Sequence, residues 1–205
     1  MSSSGRERVA VSVAAVVLAG GAAVRMGRQK LLLDLRGRPL LLWAVEAALA
    51  SAASETIVVV GSEAEHTTQA LHGMPVTVVV NDDYREGMSS SLRVGVRAVG
   101  EGRDAAVILL GDQPFVTAEL LDRLIAAFAT TGKAIVRPLV DGVPANPVLL
   151  SATLFPELLA QRGDVGGREV VDRHRDEVGL VTVDDPWVTT DIDSMEDYEA
   201  ARRHA

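Results

Sequence analysis

The stretch Val16-Val17-Leu18-Ala19-Gly20-Gly21, running on through Arg25, Met26 and Gly27 to Lys30, decides how this 205-residue chain is read. An apolar, β-branched run ends abruptly in a glycine pair, the pattern of a strand that empties into a turn. A short loop then delivers one arginine and one lysine. Backbone N–H groups and two cations converging in this way suit a polyphosphate. The loop follows neither of the two commonest phosphate-binding patterns. Two adjacent glycines with the next at Gly27 do not make G-x-G-x-x-G. Lys30 stands between Gln29 and Leu31, not between a glycine and a Ser or Thr.

Outward from this stretch, apolar runs alternate with helical patterns. Strands are expected at 11–18, 56–60, 75–80, 105–110 and 134–137. Between them lie helices at 40–53, beginning after Pro39, at 64–71, at 89–99 with Ser89 or Ser90 as N-cap, and at 117–129 with Thr117 as cap. Continuous apolar strands separated by helices imply parallel strands covered on both faces. The expected fold is therefore α/β, a Rossmann-like, doubly wound and mostly parallel sheet with helices on both faces. After Arg137 the rhythm changes. Pro138, Gly142, Pro144 and Pro147 punctuate a loop-rich, hairpin-like region up to Leu150. A helix at 153–161, another helical stretch after Arg168, a strand at 178–183 and a terminal helix at 195–203 follow. One domain is expected, with 1–8 a frayed tail, 9–137 a nucleotide-binding half and 138–205 an acceptor-binding half.

Composition narrows the classes of function. Hydrophobic residues make up 48% of the chain and aromatics 3%, so the core must be built from Ala, Val and Leu. The net charge of −8 opposes binding to nucleic acid or to an anionic membrane, both of which need clustered Lys and Arg. Any phosphate site must then be local. The absence of cysteine excludes disulfides, thiolate metal sites and thiol catalysis. His66, His72, His174 and His204 show no metal-ligand spacing. No apolar run reaches the length of a membrane span, and removing the 9–18 segment as a leader would remove the first core strand, so a cytoplasmic location is expected.

In open α/β sheets ligands bind beyond the carboxyl ends of the strands. Gly111-Asp112-Gln113-Pro114, directly after the 105–110 strand, falls at that edge beside the Gly20-Gly21 loop. A carboxylate there is a hard-oxygen ligand for Mg²⁺, which binds through one or two carboxylates together with substrate phosphates. Asp112 in isolation would also serve to stabilise a turn. Arg25 and Lys30 are the cations of the first loop and would stabilise charge in phosphoryl or nucleotidyl transfer. Asn81-Asp82-Asp83, followed by Gly87-Met88-Ser89-Ser90-Ser91, lies at the same edge. Asn81 would read a base or ribose, or close a turn; the serine amides would hold an anion, or simply begin a helix. Gly163-Asp164 with Gly166-Gly167-Arg168 reads as a backbone nest beside an arginine, or as a turn between helices. Asp191 and Asp193 offer a second metal contact or the start of the final helix.

Taken together these residues resemble the MobA/MocA-like nucleotidyltransferases, which transfer a nucleotide to the molybdenum cofactor. The resemblance runs from about residue 11 to residue 203. It rests on Leu18-Ala19-Gly20-Gly21, Arg25-Met26-Gly27, Lys30-Leu31-Leu32, Gly37-Arg38-Pro39-Leu40 and Gly111-Asp112-Gln113-Pro114. Gly163-Asp164, Gly166-Gly167-Arg168 and Asp191-Ile192-Asp193-Ser194 add to it. It implies an Mg²⁺-bound nucleoside triphosphate on Leu18, Ala19, Gly20 and Gly21. Arg25 and Lys30 would face the phosphates, Asp112 and Asp193 the metal, and Asn81 and Ser91 would lie near the nucleotide. A molybdopterin acceptor would sit near Arg137, Asn146, Gly163, Asp164 and Arg168. Its terminal phosphate would attack the α-phosphorus and expel pyrophosphate. Gly20-Gly21 resembles the guanylyltransferase branch and Gly111-Asp112-Gln113-Pro114 the cytidylyltransferase branch. Asn146-Pro147 stands where the latter has His-Pro. The balance favours CTP over GTP. Two other readings follow from the same resemblance: a nicotinamide-dependent oxidoreductase of the nicotine blue type, and a non-catalytic nucleotide-binding maturation partner for a molybdenum hydroxylase.

Overall fold

Strand β1 (Val13–Ala19) is the axis of the molecule. Its side chains alternate strictly between two cores. Val13, Ala15, Val17 and Ala19 join one, Ala14 and Val16 the other, and all six are buried. A strand apolar at every position is what burial on both faces demands. A computed structural model describes residues 11–21 and 30–204, so the expected 1–8 tail and Arg25 lie outside the described residues.

After β1 come a two-stranded hairpin, β2 (Asp34–Leu35) and β3 (Arg38–Pro39), helix α1 (Leu40–Ala50), β4 (Glu55–Val60), α2 (Ala64–Ala70) and β5 (Thr77–Val80). Then follow α3 (Met88–Val99), β6 (Ala105–Leu110), α4 (Ala118–Thr131), β7 (Ile135–Val140), β8 (Val143–Pro144) and β9 (Val148–Ser151). The chain closes with α5 (Phe155–Ala160), α6 (Arg168–Arg173), β10 (Val178–Val183) and α7 (Met195–His204). The main sheet has the order β10-β7-β9-β6-β1-β4-β5, with β8 paired to β7. β4, β1 and β6 run parallel, as do β4 with β5 and β7 with β10.

The hairpin-like region after Arg137 is no mere connection, because it carries β9. This strand inserts antiparallel between β6 and β7, pairing Ala106 with Leu150 and Ile135 with Leu150. The run Val148-Leu149-Leu150 is too short to announce itself among prolines, yet Leu149 and Leu150 are buried on opposite faces.

The helices divide between the faces. α1 and α4 cover one core through Leu41, Ala44, Val45, Leu121 and Leu124. α3 and α5 cover the other through Leu92, Val96 and Leu158. α7 closes a third cluster with Leu35, Leu40, Ile192 and Ala201, and the Tyr198 hydroxyl donates to the Asp34 carbonyl. Local signals set most boundaries. Thr117 Oγ1 accepts from the Leu120 N–H at 3.1 Å, as expected of an N-cap. α1 stops at Ala50, three residues short of the expected 40–53, because Ser51 is extended and its hydroxyl donates to the Ala48 carbonyl. α3 is capped neither by Ser89 nor by Ser90. Its N-cap is Gly87, with φ +98°.

Because β5, β4, β1 and β6 are parallel, Asn81, Gly61, Gly20 and Gly111 leave the sheet at one edge. The chain moves from β1 outward to β4 on one side, while β6 lies on the other. The crevice between β1 and β6 is thus a switch point of a doubly wound sheet, the place where such folds bind ligands.

Helix α3 approaches β1 and β4 at Gly95. A methyl group there would stand 2.5 Å from Val16 Cγ1 and 3.2 Å from Val59 Cγ2. Alanine is otherwise about 1 kcal/mol better than glycine in a helix, so the sign of a Gly95→Ala change tests the packing. We expect destabilisation of about 1–3 kcal/mol from overpacking, read as a lower urea midpoint with an unchanged slope; a stabilised variant would refute the close approach.

Candidate active site

The crevice between β1 and β6 holds a cluster of opposite charges. Lys30, in the single 3₁₀ turn Lys30–Leu32, places its Nζ 2.6 Å from Asp112 Oδ2 and 2.9 Å from Asp193 Oδ1. The two carboxylates come from segments distant in the chain, one mid-chain and one near its C-terminus. Asp112 follows β6, and Asp193 precedes α7. Burial alone would lower the ammonium's pKa, but the charges and hydrogen bonds of Asp112 and Asp193 outweigh it and raise the value. Lys30 is a fixed cation, not a candidate base.

The second oxygen of Asp112, Oδ1, is buried and has no hydrogen-bond partner among the described residues, and the same holds for Gln113 Oε1. A buried carboxylate oxygen without a donor is costly unless a cation or proton donor completes it. Among the described residues no group of three or more His, Cys, Asp and Glu side chains is arranged to hold a metal alone. The donor set of Asp112 and Asp193 therefore fits Mg²⁺, which takes one or two carboxylates with the rest of its shell from phosphates and water.

Asp191 and Asp193, equivalent in the sequence, separate here. Asp193 turns to Lys30, whereas Asp191 Oδ1 accepts from Gln113 Nε2 at 2.6 Å. Gln113 also donates to the Thr189 carbonyl, at 3.1 Å, and is almost wholly buried. It lines neither of the cavities described below and is directed into the 189–191 loop. The start of α7 is a capping box, in which the Ser194 hydroxyl accepts from the Asp197 N–H and Asp197 Oδ2 accepts from the Ser194 N–H. Ser194 serves the helix and leaves Asp193 to face Lys30.

Two cavities adjoin at this edge. The first, of about 760 Å³, is lined by Gly20, Gly21, Lys30, Asp112 and Asp193, with Tyr84, Arg85, Glu86, Ser91 and Asp164 around it. The second, of about 450 Å³, is lined by Arg137, Asn146, Gly166, Gly167, Arg168 and Asp172 on an apolar floor. Leu18, Met88 and Leu110 line both, so the cavities are neighbours with a methionine between them. Each draws on residues from before and after Arg137.

The expected residues divide accordingly. Gly20 is required by packing, since a Cβ there would stand 2.6 Å from Ser91 Oγ; at Gly21 a Cβ would meet nothing within 4 Å among the described residues, and this glycine lines the cavity. Ala19 is buried in the core. Asn81 is buried as well and lines neither cavity. Its amide donates to Ser90 Oγ and Ser91 Oγ at 2.8 and 2.9 Å, and its oxygen accepts from the Asp83 N–H. It closes a turn and braces α3, the second of the two roles open to it from the sequence. Arg137 is anchored by the Ala145 and Pro144 carbonyls, and burial lowers its pKa, opposed by the charge of Asp172. Gly163 lines neither cavity, and Asp164 borders the Lys30 cavity, not the Arg137 cavity. Of the serine amides expected to hold an anion at the start of α3, that of Ser89 donates to the Gly163 carbonyl and that of Ser90 to the Gly87 carbonyl, and the neighbouring Met88 amide donates to Asp164 Oδ1.

Reading Asn81–Asp83 and Gly87–Ser91 as a cluster stops short of the single 3₁₀ turn between them, Tyr84–Glu86, which the fold puts on the cavity wall. Arg85 lies 5.3 Å over the Tyr84 ring there. No spacing rule singles these residues out. Asp172 had a weak signal, its position four residues after Arg168 on α6.

Desolvation, then the nearby charge of Asp112, pushes the Asp191 carboxyl from 3.8 up to about 6. The folded state therefore disfavours the ionised form, and stability falls as pH rises from about 4 to 6 and levels off above. Asp191→Asn keeps an oxygen for Gln113 and removes the charge. Its melting temperature is expected to exceed that of the parent at pH 8, with the gap closing below pH 4. An equal gap at both pH values would contradict the assignment.

The chain is 32% identical over 199 residues to the purine catabolism protein PucB of Bacillus subtilis (strain 168), covering 92% of this chain and 95% of that protein. It is 30% identical over 196 residues to the nicotine blue oxidoreductase of Paenarthrobacter nicotinovorans, covering 90% and 93%. Among solved structures, Rv0371c from Mycobacterium tuberculosis H37Rv superposes with a TM-score of 0.86 at 30% identity, over 95% of this chain and 99% of that one. A manganese complex of the same protein superposes at 0.82 and 28%, over 95% and 100%. Residues 15–178 match the MobA-like NTP transferase domain, and the chain belongs to that family.

Proposed function

We propose that this protein transfers CMP from CTP, in preference to GMP from GTP, to the terminal phosphate of molybdopterin with release of pyrophosphate. The observation that carries the reading is the pair of adjoining cavities, one built around Lys30, Asp112 and Asp193, the other carrying Arg137 and Arg168 above an apolar floor. Two anionic substrates, one of them with a flat ring system, would fit such a division.

The triphosphate would lie against the Gly20-Gly21 backbone with Lys30 on its phosphates and Ser91 beside it; Arg25 is proposed as a second cation. Asp112 and Asp193 would hold Mg²⁺, and the manganese complex of Rv0371c supports a divalent ion in this family. Such an ion supplies neutralisation of charge on the phosphate oxygens. Arg137, Asn146 and Arg168 would orient the acceptor. An acceptor phosphate oxygen forms the new bond to the α-phosphorus while the bond to the bridging oxygen breaks and pyrophosphate departs. The attacking phosphate is already anionic, so no strong base is needed, and positioning and charge neutralisation do most of the catalysis. Lys30, held protonated, stabilises negative charge throughout. The partition of 9–137 to the nucleotide and 138–205 to the acceptor holds as a proposal, with Asp193 crossing over to the nucleotide side.

The test is pyrophosphate release from CTP or GTP with Mg²⁺ and molybdenum cofactor. We expect CTP to be the better donor and Asp112→Asn to lower the rate about 10²–10³-fold. Absence of release with any nucleoside triphosphate would sink the reading.

A second reading, a nicotinamide-dependent oxidoreductase, is favoured by the relative named nicotine blue oxidoreductase. The sequence opposes it, offering no G-x-G-x-x-G and only Glu63 as a ribose acid after β4. NADPH oxidation by a quinoid acceptor would establish it. Binding of nucleotide without turnover, with co-purification of a molybdenum hydroxylase, would instead establish a maturation partner.

A further inference from the structure

We propose that Asp164 is a positioning residue that joins the two cavities, capping α3 so that the turn at 163–168 on the acceptor side sets the geometry of the nucleotide side. The proposal rests on the two-substrate reading above. It departs from the expectation that Asp164 touches the acceptor.

The joint is built from several contacts across a long sequence separation. Asp164 Oδ1 accepts from the Met88 N–H at 2.9 Å, 76 residues away. The Gly163 carbonyl accepts from the Ser89 N–H at 3.1 Å. Gly87 makes the approach possible. A Cβ there would stand 2.8 Å from Gly163 C and Asp164 Cα, and its φ of +98° suits glycine alone. The thioether of Met88 packs so closely on Gly166 that a Cβ on that glycine would stand 2.9 Å from Sδ. Farther along α3, the buried Arg93 donates to the Gln161 carbonyl at 2.7 Å and to Glu86 at 2.9 Å. The first turn of α3 is thereby attached to the 161–166 segment.

The residues joined are those that wall the cavities. Gly87, Met88 and Ser91 border the Lys30 cavity, while Gly166, Gly167 and Arg168 border the Arg137 cavity, and Met88 borders both. A ligand that orders the 163–168 turn must also order Met88 and the start of α3. By reciprocity, a nucleotide held at Ser91 and Gly87 prepares the turn for the acceptor. A carboxylate beside the first helical amides is favoured by the helix dipole as well as by the hydrogen bond.

Asp164→Ala and Asp164→Asn separate this role from a direct one, since asparagine keeps the accepting oxygen and loses the charge. Three measurements suffice: hydrogen exchange at the Met88 and Ser89 amides, calorimetric affinity for CTP with Mg²⁺ alone and with molybdopterin present, and KM against kcat for both substrates. In the parent protein the acceptor should tighten CTP binding. Asp164→Ala should speed exchange at Met88 by about 2–30-fold, the range set by loss of a cap. It should also abolish the mutual tightening and raise both KM values more than it lowers kcat. Asp164→Asn should restore most of each property. Equal damage from Asn and Ala would overturn the proposal in favour of a direct charge contact, and faster exchange with coupling intact would reduce Asp164 to a structural cap. If the parent protein binds no nucleotide, the transferase reading fails and the coupling with it, while the exchange data still report the cap.

Discussion

Strand β1 is bonded on both edges and buried on both faces, and that constraint organises the rest. Each valine it buries contributes on the order of 1.5–3 kcal/mol of hydrophobic stabilisation, and its strict alternation between two cores leaves no register freedom. A shift of one residue would exchange the two faces, setting Val16 against the α1 side and Val17 against Gly95 of α3. With β1 so fixed, parallel pairing to β4 and β6 brings Gly20, Gly61 and Gly111 to one edge. The crevice is a consequence of the pairing, and the chemistry is grafted onto it.

The site resolves a tension in the composition. A chain with net charge −8 is a poor host for a triphosphate. Here two carboxylates flank one lysine, which is raised in pKa and held protonated. A divalent cation arriving with its phosphates would find Asp112 Oδ1 without a partner among the described residues and the Lys30 ammonium beside it. The acidic balance is thus compatible with anion binding, provided the anion brings its own metal. The second cavity follows a different rule, with Arg137 anchored by carbonyls and half-buried, a guanidinium presented in fixed orientation.

Much of this was legible in the chain. β1, β4 and β6 fall within two residues of the expected runs, because a buried strand writes its burial as a nearly unbroken apolar stretch, and the half-exposed β10 coincides with its expected run as well. Thr117 as a cap, Lys30 beside Asp112 and the Ser194 start of α7 followed from local chemistry. The errors are equally specific. β9 was hidden by its length and by the prolines before it, and Ser89 or Ser90 as the cap of α3 was displaced by Gly87 with a carboxylate from a distant turn. Asn81, polar and at the same edge, has its amide between two serine hydroxyls, one of them that of Ser91 on the wall of the Lys30 cavity, an arrangement no local pattern announces.

The strand–turn edges, the apolar faces and the family are written in the chain, since each is a property of neighbouring residues and their periodicity. Which of Asp191 and Asp193 meets Lys30, that Gln113 is directed into the 189–191 loop, and that Asp164 bonds to the start of α3 emerge with the folded molecule. Those choices join groups 76 to 163 residues apart. The physical reason is that a hydrogen bond needs its partners within about 3 Å, and no local pattern records which distant segment the chain's path will bring there.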